Sequence, residues 1–220
     1  MKTAVIAGAS GMIGTALCRT LAHENSGFDR VVALTRRPLD FVFPNLVVQQ
    51  ASLGNLAQLD IGPIDAAFCT LGTTLKAAGS REAFRLVDHD YVVAFARFAR
   101  ASGAKTFVLL TSVDSTPQSP NFYLQVKGET ELAVEALGFE SLYIFRPSFL
   151  MGVRRDSRPG ERFGIAVAKA LQFALVGPLR KYRPIASELV AAGMRGAAVE
   201  SRAGRQICHF DDIVKLANCG

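Results

Sequence analysis

The chain has 220 residues, half of them hydrophobic and one-fifth charged, a composition that excludes an intrinsically disordered chain and suits one domain with a sizeable core. Lysine and arginine number 25 against 19 acids, a net charge of +6, and arginine outnumbers lysine by 18 to 7. Arginine offers a planar fork to phosphate or carboxylate, so an anionic partner is expected.

Taken in chain order, Thr3–Ala7 is a short apolar run of strand character. It leads into Gly8-Ala9-Ser10-Gly11-Met12-Ile13-Gly14 and a helical pattern over Met12–Glu24. Glycines at this G-x-x-G-x-x-G spacing, between a first strand and a first helix, are the arrangement that cradles a dinucleotide. Gly8 permits the turn, Gly11 lets the backbone approach a pyrophosphate, and Gly14 lets the helix pack on the strand. Ser10, Met12 and Ile13 complete the loop, and the helix start presents free N–H groups to phosphate. The second strand, Arg30–Thr35, ends in Arg36-Arg37. An acid there would hold the ribose 2′-hydroxyl of NAD, whereas two arginines suit the 2′-phosphate of NADP(H). Solvated turn arginines are the bland alternative.

Further strands are expected at Asn45–Val48 and Asp65–Cys69. A helix spans Arg81–Ser102, a strand Thr106–Thr111, a helix Asn121–Leu137, a strand Ser141–Phe145 and a helix Ala186–Glu200. Strand and helix alternate and the strands are continuously apolar, as when both sheet faces are covered. The fold class is therefore α/β, a Rossmann-like doubly wound parallel sheet with helices on both faces. The whole chain reads as one domain, with residues 148–205 supplying a small cap. In such sheets ligands sit at the carboxyl ends of the strands. Tyr123 and Lys127 stand four apart on a helix and so share one face. Ser112 follows the strand that precedes that helix.

Gly8, Gly11 and Gly14 with Ser112, Tyr123 and Lys127 resemble the short-chain dehydrogenase/reductase superfamily. Phe68–Thr74, Arg85–Tyr91, Asn121–Glu129, Phe145-Arg-Pro147 and Ser157–Glu161 narrow this to a likeness with the Tat-interacting protein oxidoreductases, an atypical branch. The resemblance implies a bound NADP(H) and reduction of a small carbonyl compound or oxidation of a hydroxyl compound. It casts Tyr123 as general acid/base, Lys127 as the ammonium that favours the phenolate and holds the nicotinamide ribose, and Ser112 as holder of the substrate oxygen. A phenol ordinarily ionises near pH 10, which is why a neighbouring cation is needed. The resemblance places Cys69, Leu71 and Gly72 along the adenosine side of the cleft and Arg146 beside the nicotinamide. Asp88 stands where many relatives have an Asn of a proton relay, and a structural acid that ties a helix is the alternative. Ser52-Leu53 stands where relatives carry an acid near adenine. A non-catalytic NADPH-binding protein that senses redox state or scaffolds a partner is the rival reading.

Charge is uneven: residues 146–205 hold 12 basic and 4 acidic residues, a net of +8. Arg154, Arg155, Arg158 and Arg162 are candidate contacts for an anionic substrate, against the alternative of a solvated basic surface or an interface. No helix-turn-helix, zinc or RNA-binding signature accompanies the charge, so nucleic acid is not an expected partner. No run reaches the roughly 18 uncharged apolar residues of a membrane span, and a membrane partner is not expected. Glycines 8, 11 and 14 and Arg19 interrupt the N-terminal apolar run, unlike a secretory leader. Cysteines 18, 69, 208 and 219 form no C-x-x-C pair, and His23, His89 and His209 have no ligand spacing. No metal is expected, and a reducing compartment, the cytoplasm, is. Relatives dimerise by packing the helices at 81–102 and 121–137, so a homodimer is a further expectation.

Overall fold

Five of the predicted strands are so apolar that they need cover on both faces, and the computed structural model supplies it. The structure describes residues 1–23, 25–56, 59–151 and 175–219. The strands are β1 (Thr3–Ala7), β2 (Arg30–Thr35), β3 (Leu46–Gln50), β4 (Ala66–Cys69), β5 (Thr106–Leu110), β6 (Ser141–Phe145) and β9 (Gly204–Cys208). They form one sheet in the order β3-β2-β1-β4-β5-β6-β9, parallel throughout. A separate two-stranded ladder joins β7 (Leu150–Met151) to β8 (Ile185–Ala186).

The helices are α1 (Met12–Leu21), α2 (Leu75–Ala78), α3 (Arg81–Arg85), α4 (Tyr91–Ala101), α5 (Phe122–Glu135), α6 (Ser187–Glu200) and α7 (Phe210–Ala217). One core lies between the sheet and α1, α6 and α7, with Ile6, Leu17, Phe68, Phe145, Met194 and Ile213 at its centre. The other lies on the opposite face, where Phe95 and Phe107 meet Leu109 and Ile144. Strand order reverses between β1 and β4, and a crevice opens there at the carboxyl ends.

The fold class is the expected one. Two details differ. Residues 81–101 are helical throughout, as expected, but a π-helical turn at Leu86–Asp90 lies within the run, between α3 and α4. The chain also adds β9 and α7, which the apolar pattern did not reveal. Gly204–Cys208 is an edge strand with only Cys208 buried, so it lacks the continuous apolar run of its neighbours. The expected contacts Arg154, Arg155, Arg158 and Arg162, the Ser157–Glu161 motif and much of the expected cap lie outside the described residues. No helix among the described residues is long and apolar enough to cross a membrane.

Candidate active site

The first turn of the site has no room for side chains. Gly8 has φ +88°, and a Cβ there would come within 2.8 Å of the Thr70 backbone. A Cβ on Gly14 would lie 2.1 Å from the Gly8 carbonyl oxygen. Gly11 donates its N–H to that same oxygen at 3.0 Å. The loop is thus drawn tightly over the carboxyl end of β1, and the α1 N-terminus opens on the crevice.

Two adjoining cavities share this loop. The larger, about 870 Å³, is lined by Ser10, Gly11, Met12 and Ile13, by Thr70–Thr74, and by Thr111, Tyr123 and Lys127. The smaller, about 250 Å³, is lined by Gly8, Arg36, Arg37, Leu53, Leu71 and Val87. Arg36 and Arg37 are exposed at the end of β2. The structure therefore brings the glycine loop, both arginines, Leu71, Gly72, Tyr123 and Lys127 around one crevice.

Asn121 caps α5, its side chain accepting from the N–H groups of Tyr123 (2.9 Å) and Leu124 (3.4 Å), as a good N-cap does. Tyr123, Lys127 and Glu131 follow at four-residue intervals along one face. Gly128 allows that helix to press on the preceding loop, since a Cβ there would meet the Thr116 carbonyl carbon at 2.3 Å. The Tyr123 ring packs 5.6 Å from Phe84, and Phe84 also touches Phe122, 5.8 Å away.

Lys127 is buried and ion-paired with Asp88 at 2.9 Å. Burial is the largest influence on its ammonium and lowers its pKa, yet the nearby Asp88, with Tyr123, turns the net shift upward. Cys69 is buried beside them, and burial pushes its thiol up to about 12. It is a protonated core residue and lines neither cavity.

Neither Ser112 nor Arg146 lines either cavity. Leu110 and Thr111 line the crevice. Ser112 starts the turn just beyond, its carbonyl oxygen accepting from the Ser115 hydroxyl at 2.7 Å. Arg146 is not among the lining residues. Its guanidinium grips Glu131 with two nitrogens, Nε lying 3.0 Å from Oε1. Thr111 donates to the same Oε1 at 2.6 Å. Arg146 therefore braces the carboxyl ends of β5 and β6 against α5. Thr73, Thr74, Leu150, Ser187 and Glu188 also line the crevice. The Thr-rich run after β4 is visible as a motif, but Ser187 and Glu188 arrive from a helix that begins 64 residues downstream of Tyr123 and carry no local signal.

A family model described as the NAD dependent epimerase/dehydratase family matches residues 4–131. The chain belongs to that family. The chain is 42% identical over 166 residues to the rat protein HTATIP2, spanning 73% of this chain and 67% of that protein. It is 32% identical over 220 residues to "Protein FMP52, mitochondrial" of Kluyveromyces lactis, spanning 97% of this chain and 98% of that protein. The family model and the likeness to HTATIP2 agree with the resemblance to an atypical short-chain dehydrogenase/reductase branch. Among solved structures, MoeE5 in complex with UDP-glucose and NAD superposes with a TM-score of 0.65 at 18% identity, over 99% of this chain and 81% of that one. Human SDR39U1 (isoform 2) with NADPH superposes with a TM-score of 0.64 at 18% identity, over 95% and 74%. These two share the fold. The expectation of a purely cytoplasmic protein is overturned: the FMP52 relatives from Kluyveromyces lactis, Candida glabrata and Emericella nidulans are all named mitochondrial. Scattered cysteines report a reducing environment at most, and that does not single out one compartment.

Proposed function

We propose that the chain is an NADPH-dependent reductase or dehydrogenase of a small carbonyl or hydroxyl compound. The observation that carries this reading is that Tyr123 and the buried Lys127 line the same crevice as the glycine loop. A dinucleotide suits this crevice, because two adjoining cavities of about 870 and 250 Å³ extend from the glycine loop, one towards Tyr123 and Lys127 and the other towards Arg36 and Arg37. Gly8, Ser10, Gly11, Met12, Ile13 and Gly14 would hold the pyrophosphate, and Arg36 and Arg37 the 2′-phosphate. Leu71 and Gly72 would flank the adenosine, and Lys127 would hold the nicotinamide ribose. A bound nicotinamide supplies or accepts the hydride. Tyr123 exchanges the proton with the substrate oxygen, Lys127 holds positive charge beside the phenol, and Ser112 is the further hydroxyl at the end of β5.

Tyr123→Phe keeps the ring packing on Phe84 and removes only the hydroxyl. It is expected to lower NADPH oxidation across a panel of aldehydes and ketones by about a hundredfold or more, with NADPH affinity by fluorescence titration nearly unchanged. Equal turnover in the variant would overturn the reading. Tight NADPH binding with no turnover by the unmodified protein would favour a cofactor-sensing or scaffolding role instead.

The 2′-phosphate assignment has its own test. Changing both Arg36 and Arg37 to Ser is expected to weaken NADPH binding by roughly a hundredfold, given what charge-assisted hydrogen bonds contribute. NADH binding should change only a few-fold. Equal losses would mean that the arginines do not distinguish the cofactors.

The partner proposals are a small-molecule substrate, with an anionic group among the options, and a homodimer. Neither nucleic acid nor a membrane is proposed. Several basic residues downstream of β6 are already engaged: Arg146 by Glu131, Lys181 by Asp114, Arg180 by Asp211 and Arg205 by Glu135.

A further inference from the structure

Asp88 does something that helix-capping does not require. It is fully buried, and it lies in the π-helical turn, where the Tyr91 N–H reaches back to the Leu86 carbonyl. Such a turn inserts an extra residue into a helix and re-aims its side chains, often at functional sites. Here the Asp88 backbone carbonyl accepts from the Thr130 hydroxyl of α5 at 2.9 Å. One carboxylate oxygen accepts the Thr73 N–H at 2.8 Å, and the other lies 2.9 Å from the Lys127 ammonium. The loop after β4, the π turn and the Tyr123 helix therefore meet at one carboxylate. Gly72 closes the roof, since a Cβ there would be 3.4 Å from Asp88 and 3.5 Å from Lys127.

We propose that Asp88 is a positioning residue: it fixes Lys127 against the loop after β4 and keeps it an ammonium over the whole working pH range. This rests on the reading that Lys127 serves the chemistry at Tyr123. The physical argument is a balance of two large effects. Burial disfavours a charged lysine and can lower its pKa by several units, whereas a carboxylate at contact distance favours the charge. Lys127 is faced by Asp88 from the π turn, by Cys69 from β4 and by Tyr123 from its own helix. The Cys69 thiol stays protonated to about pH 12, so it lends no negative charge at neutral pH. Glu131, one turn further along, is already held by Arg146 and Thr111. Asp88 is thus the fixed counter-charge among these neighbours. A neutral amide in its place would still accept the Thr73 N–H but would leave burial unopposed at Lys127.

The experiment is Asp88→Asn in the full chain, with lysine side-chain nitrogens labelled for NMR and the Lys127 signal assigned by its absence from Lys127→Met. In the unmodified protein Lys127 should remain charged beyond the ordinary lysine range. In Asp88→Asn its titration should fall by about two units or more, the size expected for an uncompensated buried lysine. An unchanged titration would overturn the proposal. This readout needs no turnover. A shifted titration in a protein inactive on every carbonyl tried would therefore uphold the Asp88 assignment while removing the reductase reading. Where activity is present, the loss of rate at high pH should move down by the same amount. Asp88→Ser makes the same change of charge with a smaller acceptor, should the amide variant not fold. If neither folds, each is combined with Lys127→Met. Recovery of folding would support an unpaired buried ammonium as the cause, and no recovery would overturn the proposal in favour of a purely structural acid.

Discussion

Glu131→Ala is expected to destabilise the fold by about 3–5 kcal/mol, the usual consequence of removing one partner from a buried ion pair. Glu131 is 1% exposed. Its two oxygens receive Nε and an Nη of Arg146 and the Thr111 hydroxyl. Truncation leaves a half-buried guanidinium without its carboxylate, although Thr111 can still donate to the Phe145 carbonyl at 3.3 Å. Urea unfolding monitored by circular dichroism measures the loss. Glu131→Gln, which keeps the shape and loses the charge, should fall between the two. The double change Glu131→Met with Arg146→Leu should recover much of the deficit, since apolar replacements of a buried pair are often near neutral. A double variant as unstable as the sum of its single variants would mean that the pair is not coupled. The consequence for the site is direct. Thr111 lines the crevice, Ser112 follows it, and Lys127 lies one turn from Glu131 on α5. A weakened brace therefore loosens the crevice wall as well as the fold.

What the sequence carried and what it withheld divide along the range of the interactions. Strands with both faces covered are continuous apolar runs, so β1, β2, β4, β5 and β6 were legible to within a residue or so. The glycine loop was legible because three glycines at fixed spacing solve a local problem, a turn with a helix packed close on it. Tyr123 and Lys127 share a face by helical period alone. The π turn was hidden, because inserting one residue leaves the apolar pattern of residues 81–101 helical at sight. Asp88 stood out only as a departure from the Asn of relatives, and its pairing with Lys127, 39 positions away, required the fold. Arg146 shows the same limit from the other side. The family resemblance implies a place beside the nicotinamide, and only the fold shows that Glu131 on α5 engages its fork. The basic excess of residues 146–205 reads differently for the same reason, since Arg146, Arg180, Lys181 and Arg205 meet acids that lie elsewhere in the sequence.

Gly14→Ala is expected to abolish measurable NADPH binding and to cost about 3 kcal/mol of stability, the upper part of the range for forcing one methyl into close-packed surroundings. The atoms in its way are the Gly8 carbonyl oxygen at 2.1 Å and the Ala9 Cα at 2.8 Å. Both are backbone, so no side chain can rotate away, and α1 must lift from β1. That displacement moves the helix N-terminus that would face the pyrophosphate. Gly11→Ala is the informative contrast. A Cβ at Gly11 would sit 3.3 Å from the Gly8 oxygen, and Gly11 has an ordinary backbone conformation with φ −77°. Its fold should survive with a small loss of stability. The added methyl would nonetheless stand on the crevice surface, where the phosphates must approach the backbone. Cofactor affinity should therefore fall in both variants, and thermal stability steeply only in Gly14→Ala. If the two alanines proved equally stable, the close approach of α1 to β1 would not be what Gly14 provides. If Gly11→Ala bound NADPH normally, the crevice would not be the pyrophosphate site.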